Sequence, residues 1–300
     1  TYSAIVSLGP WFLGVITMVC LIFFKPSNIS LPELFYFRST ILYIFIFSFI
    51  FTGLLFFSLS RYISDKLYAK DKEAIIPVFN TISLFVLFCQ TITGYCIFFQ
   101  AENKIYLFCS VLIYLVMSML WLLMIFLVIL KDYKMITISY SLGVFVTLGI
   151  SLFFARYFGL IAYFIGYFLG HFLIMIFLSI RIYIEFPSIR VFDQDVYFFM
   201  LKNKKLILIG LFYNLGVWID KIIFWYYGES IIIHSFLRSY PIYENAVFLA
   251  FLTTIPAFSI FLIKVETDFS RKYSNYYDKI LNKGTYQMIK RKKQLMFNSL

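Results

Sequence analysis

Residues 206–227 read LILIGLFYNLGVWIDKIIFWYY, an apolar run that carries one acid, Asp220, and one base, Lys221. About 20 apolar residues are enough for a helix to cross the hydrocarbon core of a bilayer, so the run predicts a membrane-spanning helix. A charged side chain near the middle of such a helix costs about 2.5–3.5 kcal/mol on insertion scales. The two adjacent charges therefore indicate either a structural contact or a function inside the membrane.

The composition of the whole chain supports a membrane protein. Hydrophobic residues make up 62% of the 300 residues and charged residues only 14%, and the mean hydropathy is +0.88. A soluble domain of this length is richer in charge and does not gather its apolar residues into long runs. The sequence therefore predicts an all-α polytopic membrane protein.

Eight segments are long and apolar enough to span a bilayer as helices. They lie at 1–24, 39–59, 77–99, 105–130, 135–155, 158–180, 206–227 and 244–263. The connections between them are short and leave no room for a soluble domain. Because the chain starts inside the first apolar run, without an initiator Met or a basic leader, we expect it to be part of a longer protein.

The distribution of Lys and Arg predicts the orientation in the membrane. The connections after the even-numbered segments, with the C-terminal stretch, hold 20 of these residues, whereas the alternate connections hold five. The positive-inside rule places the side richer in Lys and Arg, and both ends of this sequence, in the cytoplasm. The net charge of +11 then reflects membrane orientation, and nucleic-acid binding is not expected.

Two similar strings, SRYISDKLY after the second segment and KVETDFSRKY after the eighth, suggest an internal repeat. Each places a base four residues before an acid, Arg61 with Asp65 and Lys264 with Asp268. Residues at this spacing share a helix face, so we predict two ion pairs at the cytoplasmic mouth. The offset makes the second segment equivalent to the eighth, as two six-helix halves would, although one short match also arises by chance.

The predicted division is a first six-helix bundle at 1–184, a cytoplasmic inter-bundle loop at 185–205, the first two helices of a second bundle at 206–264, and a basic cytoplasmic segment at 265–300.

The polar stripe of the seventh segment is the candidate functional site. On a helix Asp220 and Lys221 point about 100° apart, and Lys221 shares its stripe with Asn214 and Trp218. Indole rings stack on sugars while amides and charges bond hydroxyl groups, so such a stripe suits a wet cavity that holds a sugar. We predict that Asp220, Lys221, Asn214 and Trp218 line a translocation path. The alternative is a charge pair that locks this helix to its neighbours, with Trp225 as an interface anchor.

Prolines inside two of the apolar segments predict kinks. Pro10, which follows Gly9 in the first segment, lacks the backbone N–H that an uninterrupted helix needs. A kinked first helix fits a mobile gate or a simple bend. The same interpretation applies to Pro256 in the eighth segment.

His171 lies in the middle of the sixth segment beside Gly166 and Gly170. The small-xxx-small spacing of these glycines predicts close packing against another helix. A proton-coupling role for His171 is the alternative to a buried structural histidine.

No motif of catalysis is present in the sequence. The triplet DQD at 193–195 resembles the acidic triplet with which many glycosyltransferases hold a metal–nucleotide, but no α/β nucleotide domain surrounds it. We find no Gly-rich phosphate loop and no nucleophile elbow, and the four cysteines lack zinc-ligand spacing. The sequence therefore predicts a non-enzymatic protein without a metal or cofactor.

The basic C-terminal stretch suits the surface of a membrane. Tyr276, Tyr277, Ile280 and Leu281 would lie at the interface, with the bases at 290–293 near anionic headgroups. An ordinary cytoplasmic connection before a further helix is the compatible alternative.

Four strings of the sequence resemble the PelG family of membrane exporters. They are SLGPWFLG at 7–14, SRYISDKLY at 60–68, YNLGVWIDKIIFW at 213–225 and LTTIPAFSIFLIKVETDF at 252–269. This family exports the Pel exopolysaccharide of biofilms and is related to the multidrug/oligosaccharidyl-lipid/polysaccharide (MOP) flippase superfamily.

The resemblance implies a MOP-flippase-like bundle of twelve helices around a central cavity, eight of them in this sequence and about four beyond Leu300. It also implies export of an amino-sugar polymer across the bacterial cytoplasmic (inner) membrane. The implied partners are the polysaccharide, membrane lipid, a cytoplasmic glycosyltransferase and other Pel-type membrane subunits. Two alternatives are a lipid-linked oligosaccharide flippase and a non-transporting scaffold for a glycosyltransferase complex.

Overall fold

The computed structural model describes the backbone of residues 2–298 except 102, 131–132, 228, 235–236 and 283. Side chains are described for 13–101, 103–127, 134–227, 229–233, 237–250, 253–282 and 284–298, except 255, 258, 259, 262, 263 and 266.

Eight long helices coincide with the eight predicted segments. They are α1 (Tyr2–Phe23), α2 (Leu31–Tyr68), α3 (Ile75–Phe98), α4 (Lys104–Leu130), α5 (Tyr133–Phe158), α6 (Leu160–Glu185), α8 (Lys204–Tyr226) and α9 (Pro241–Lys264). Over the described residues, α2 to α6 and α8 are long and apolar enough to cross a membrane. The prediction of an all-α, multi-pass membrane protein is confirmed.

The shorter elements lie in regions where no structure was predicted. Helix α7 (Asp195–Lys202) falls inside the predicted loop at 185–205, and an antiparallel hairpin of β1 (Ile231–His234) and β2 (Leu237–Ser239) connects α8 to α9. A π-helical turn (Val265–Phe269) then leads into α10 (Ser270–Leu281), and α11 (Tyr286–Phe297) follows. These elements are too short or too polar to give an apolar run in the sequence.

Helix α2 is much longer than the apolar segment that predicted it. Its start is fixed by a capping box, in which the side chains of Ser30 and Glu33 each accept the other residue's backbone N–H. Its 38 residues correspond to about 57 Å, nearly twice the thickness of the hydrocarbon core. The helix therefore extends beyond the bilayer.

The chain forms two compact units, Leu13–Glu244 and Thr1–Phe12 with Asn245–Leu300. In the first unit α2 is central and packs against α4 and α8, while α4 also packs against α3 and α6. In the second unit α10 packs against α11. Helix α8, which we assigned to a second bundle, thus packs on α2, and the division into two bundles stays a prediction.

A buried polar cluster joins α2, α3 and α4. Gln90 of α3 accepts a hydrogen bond from the Tyr114 hydroxyl at 2.7 Å and donates one to Thr52 of α2 at 3.3 Å. Trp121 of α4 donates to Ser48 of α2 at 3.1 Å. In an apolar interior these bonds replace water for groups that would otherwise be costly to bury.

Small residues bring α5 and α6 into close contact, which confirms the prediction for Gly166 and Gly170. A Cβ atom on Gly170 would lie 1.9 Å from Thr147 Oγ1 and 2.5 Å from the carbonyl oxygen of Gly143, and one on Gly166 would lie 2.2 Å from Ser151 Oγ. The sequence did not indicate that α5 supplies the matching small residues. The backbones of the two helices approach as closely as small-residue motifs allow.

His171 is buried beside this contact. Its Nδ1 lies 2.8 Å from the carbonyl oxygen of Tyr167, and its ring stacks on the Tyr167 ring at 4.0 Å. These contacts fit a structural histidine, and a proton-coupling role stays untested.

The prolines for which we predicted kinks, Pro10 and Pro256, lie in α1 and α9. Helix α1 includes Gly9 and Pro10, but their side chains lie outside the described residues. Helix α9 continues past Pro256, which is exposed. A gating role for these positions stays a prediction.

We expect Gly170→Ala to destabilise the α5–α6 pair. The added methyl group overlaps Thr147 and the backbone of Gly143, and overpacking of this kind costs about 1–3 kcal/mol. Thermal unfolding of the purified protein in detergent measures the effect. Gly149→Ala is the matched control, because no atom lies within 4 Å of the Cβ position there; equal unfolding temperatures for the two variants would contradict the close packing.

Candidate functional site

Helices α2 and α8 run antiparallel along their length. Tyr43 of α2 stacks on Trp225 of α8, with ring centroids 4.0 Å apart, and further along α2 Gly53 meets Asn214. We call the end of this pair that carries Tyr43 and Trp225 the hairpin end, because β1 and β2 lie there, and the opposite end the α7 end.

Glycines allow the backbones of α2 and α8 to approach closely where the two helices cross. A Cβ atom on Gly53 would lie 1.8 Å from Asn214 Nδ2, and one on Gly210 would lie 2.4 Å from the carbonyl oxygen of Gly53. Asn214 is 3% exposed and donates to the Gly210 carbonyl at 2.9 Å. Its side chain therefore fills the helix contact, as the structural alternative to a path-lining role requires.

Trp218 and Lys221 also face α2. The Trp218 ring lies 6.1 Å from Phe45 and 6.5 Å from Phe49, edge to face. The Lys221 ammonium lies 4.7 Å from the centroid of the Trp218 ring, and the residue is 5% exposed. A cation over an indole face is a favourable contact that strengthens where water is excluded. The buried lysine is thus held against the α2–α8 interface.

Asp220 lies on a different side of α8 and is half-buried. It accepts a hydrogen bond from the Tyr243 hydroxyl. Phe224, one turn further, stacks on Tyr243 at 4.0 Å and lies parallel to Tyr240 at 5.7 Å. Asp220 is six residues, or about 9 Å, from the end of α8 at Tyr226. It therefore lies about halfway between the middle of the helix, near Leu215, and the hairpin end.

A buried carboxylate that we did not predict organises the hairpin end. Glu244 is 7% exposed and accepts hydrogen bonds from Trp225 Nε1 at 2.8 Å and from Ser239 Oγ at 2.9 Å. It also accepts the Tyr240 backbone N–H at 3.3 Å, and the Arg38 guanidinium lies 3.6 Å away. One residue thus connects α2, α8, β2 and the start of α9. Its signal in the sequence was its position as the only acid in the segment 244–263.

Tyr43 fixes the hairpin from the side of α2. Its hydroxyl donates to the Arg238 carbonyl oxygen at 3.1 Å and accepts the Arg238 backbone N–H at 3.0 Å. Because its ring also stacks on Trp225, one side chain ties β2 to both long helices.

Of the two predicted mouth ion pairs, the structure contains one. Arg61 Nε lies 3.4 Å from Asp65, with both side chains exposed, so the pair adds little stability. Within the described part of the chain Asp268 pairs with Lys272 at 2.6 Å and Arg271 at 3.4 Å, and not with Lys264. An acid four residues before a base is the better orientation on a helix, so Lys272 prevails. Hydrogen bonding from Lys272 lowers the pKa of the Asp268 carboxyl.

The DQD triplet has a structural role at the α7 end. Asp193 accepts hydrogen bonds from the Tyr62 hydroxyl at 3.0 Å and from the backbone N–H of Asp195, the first residue of α7, at 2.8 Å. Lys66 of α2 lies 4.0 Å from the same carboxylate. The triplet joins α2 to α7.

A second set of contacts fastens the segment before α7. Asp71 forms ion pairs with Arg190 at 3.0 Å and with Lys66 at 3.8 Å. Asn80 of α3 donates to the Val191 carbonyl oxygen at 3.0 Å. The connection between α6 and α7 is thus attached to α2 and α3. Among the described residues no group of three His, Cys, Asp or Glu side chains lies close enough to hold a metal ion.

The sequence model of one known family, described as "Putative exopolysaccharide Exporter (EPS-E)", matches residues 1–300. The chain belongs to the PelG family. PelG proteins are exporters of exopolysaccharide, and the multi-pass helical fold of this chain suits transport across a membrane. No curated protein and no solved structure matched the chain.

In this PelG chain, we expect Glu244→Ala to lower thermal stability. The change leaves the buried donors of Trp225 and Ser239 without their acceptor, and each unsatisfied group costs about 1–3 kcal/mol. Glu244→Gln keeps an acceptor oxygen and has a smaller effect. Unfolding in detergent checks the order, with exposed Glu229→Ala as the control. An unfolding temperature of Glu244→Ala equal to that of the control would show that this carboxylate is not the organising contact.

Proposed function

We propose that this chain exports an amino-sugar exopolysaccharide across the bacterial cytoplasmic membrane, along a path that α8 lines with Asp220. Membership of the PelG family supports the polymer as substrate. The observation that carries the proposal is the carboxylate of Asp220 inside an apolar helix, half-buried and beside aromatic rings. An ionisable residue within a membrane helix is expensive to keep, so a functional role is the default hypothesis.

The two sides of α8 have different surroundings. Asn214, Trp218 and Lys221 are buried against α2, whereas Tyr213 and Phe224 are exposed, and no atom lies within 4 Å of a Cβ position on Gly216. Asp220 belongs to the second side. We therefore narrow the predicted path to Asp220 and its exposed neighbours. Lys221, Trp218 and Asn214 then hold the helix in place behind it.

This surface has the chemistry for transient binding of sugars. A carboxylate accepts hydrogen bonds from hydroxyl groups and forms ion pairs with protonated amines, while exposed rings offer apolar area to sugar faces. Transport also requires that each contact be weak enough to release. The Asp220 carboxylate already accepts a hydrogen bond from Tyr243. Its contact with a sugar is therefore of moderate strength.

The bias of Lys and Arg supports a cytoplasmic location for the α7 end. There Arg61 and Asp65 would lie at the mouth of the path. The same bias supports a cytoplasmic location for Asp268 and its bases. Bends at Gly9–Pro10 and at Pro256 are the candidate gates, because each proline removes one backbone hydrogen bond. A cytoplasmic glycosyltransferase and other membrane subunits of a Pel-type system are the proposed partners.

Asp220→Asn in the exporter tests the proposal. We expect secreted polysaccharide to fall about tenfold, because a neutral amide loses the charge-assisted part of the contact. The amount of exporter in the membrane should stay within about twofold of wild type. Both quantities are measured in the same cells.

Asn214→Ala is the matched control. Asn214 is buried on the α2 side of α8, about one and a half turns from Asp220. There we expect export and protein amount to fall together, in proportion. Unchanged export in Asp220→Asn would remove this side of α8 from the path. A parallel loss of export and protein in Asp220→Asn would show that the residue holds α8 to its neighbours.

A further inference from the structure

A single helical run leads from α9 out to α10. Helix α9, the π-helical turn and α10 have 24, 5 and 12 residues, and the backbone keeps helical angles on both sides of the turn, at Lys264 and Ser270. Helix α9 and the turn together cover about 44 Å, within the thickness of about 40–45 Å of a bilayer with its headgroups. Where α9 crosses the membrane, α10 therefore starts at the water-facing border and extends about 18 Å beyond it.

One face of α10 is apolar and bare. Tyr273, Tyr277, Ile280 and Leu281 are 44%, 44%, 40% and 75% exposed, although α10 packs against α11. Their spacing of four, three and one residues puts them on one side of the helix. The rings of Tyr273 and Tyr277 lie 4.6 Å apart and form a continuous patch. Asn275 and Lys279 lie on the opposite, polar side.

The charge around this patch is mainly positive, although Arg271 and Lys272 pair with Asp268. Between Ser270 and Phe297 the sequence holds eight Lys and Arg residues and a single acid, Asp278. Four of the bases are consecutive, Lys290 to Lys293 on α11. At 100° per residue these four point around the whole circumference of α11, so they cannot all face one flat bilayer surface.

We propose that the α10–α11 hairpin is a docking surface for a soluble protein whose apolar groove has an acidic rim. Exposed tyrosines with an arginine nearby are typical of the residues that dominate protein interfaces. The positive field would steer an acidic partner to the surface. A second copy of this chain carries the same charge and is repelled. A bilayer occupant, which the sequence suggested, fits poorly with a helix that leaves the membrane. The inference rests on α9 crossing the membrane, as the sequence predicts for the segment 244–263, and not on the identity of the polymer.

Site-specific photo-cross-linking of the exporter in intact cells tests the surface. The photoreactive amino acid p-benzoylphenylalanine is introduced at Tyr277 or Leu281 and, as the matched control, at Asn275 or Lys279. We expect Tyr277 and Leu281 to give one discrete adduct with a soluble, acidic protein, and the control positions to give at least about tenfold less. Equal yields from both faces, adducts with lipid alone, or adducts with a second exporter chain would each overturn the proposal.

The captured protein is then purified and bound to the exporter in nanodiscs. We expect Tyr277→Ser to raise the Kd about tenfold or more, as loss of a central interface residue does, and Asn275→Ser to change it less than about twofold. Replacement of Lys290 to Lys293 by Gln should slow association and reduce its dependence on salt. Equal affinity of the two serine variants would show that the apolar face is not the docking surface. These readings are taken on protein complexes, so they fail or succeed independently of polymer export.

Discussion

The close approach of α2 and α8 is the constraint on which the rest of the first unit depends. Gly53 and Gly210 allow the backbones to meet, and Asn214 fills the remaining space with its amide bonded to Gly210. Small residues at a crossing are the way in which helices associate where lipid gives no hydrophobic driving force. Because α2 and α8 are fixed to each other at this point, each residue of α8 on either side of it faces a defined position on α2.

The packing of α8 on α2 determines the surroundings of the two charged residues of α8. Lys221 lies on the side that α2 covers, over the face of Trp218. Asp220 lies on the other side with Tyr243. The acid and the base are adjacent in sequence but have separate environments, because successive residues of a helix point about 100° apart. Lys221 is buried in protein, whereas Asp220 is only half-buried.

The sequence was sufficient for features that depend on short spacings. The bilayer fixes the length of an apolar segment, so all eight long helices could be located. Small residues four positions apart likewise predicted the contact at Gly166 and Gly170. The pairs Arg38–Glu244 and Tyr62–Asp193 were missed because their members lie over a hundred residues apart along the chain, and no period in the sequence reports such a pair. The Lys264–Asp268 pair failed because Lys272 offered the same carboxylate a better geometry.

The length of α2 gives this helix the mechanics of a lever. Gly53, where α8 holds it, lies 22 residues from Leu31 and 15 residues from Tyr68, or about 33 Å and 22 Å along the axis. A tilt of about 5° around that point moves the two ends in opposite directions, by about 3 Å and 2 Å. Tyr62 lies nine residues, or about 13 Å, from Gly53 and would move by about 1 Å. Added to its 3.0 Å hydrogen bond with Asp193, that shift exceeds the range of a hydrogen bond. A small rotation of α2 around Gly53 would thus move its two ends in opposite directions.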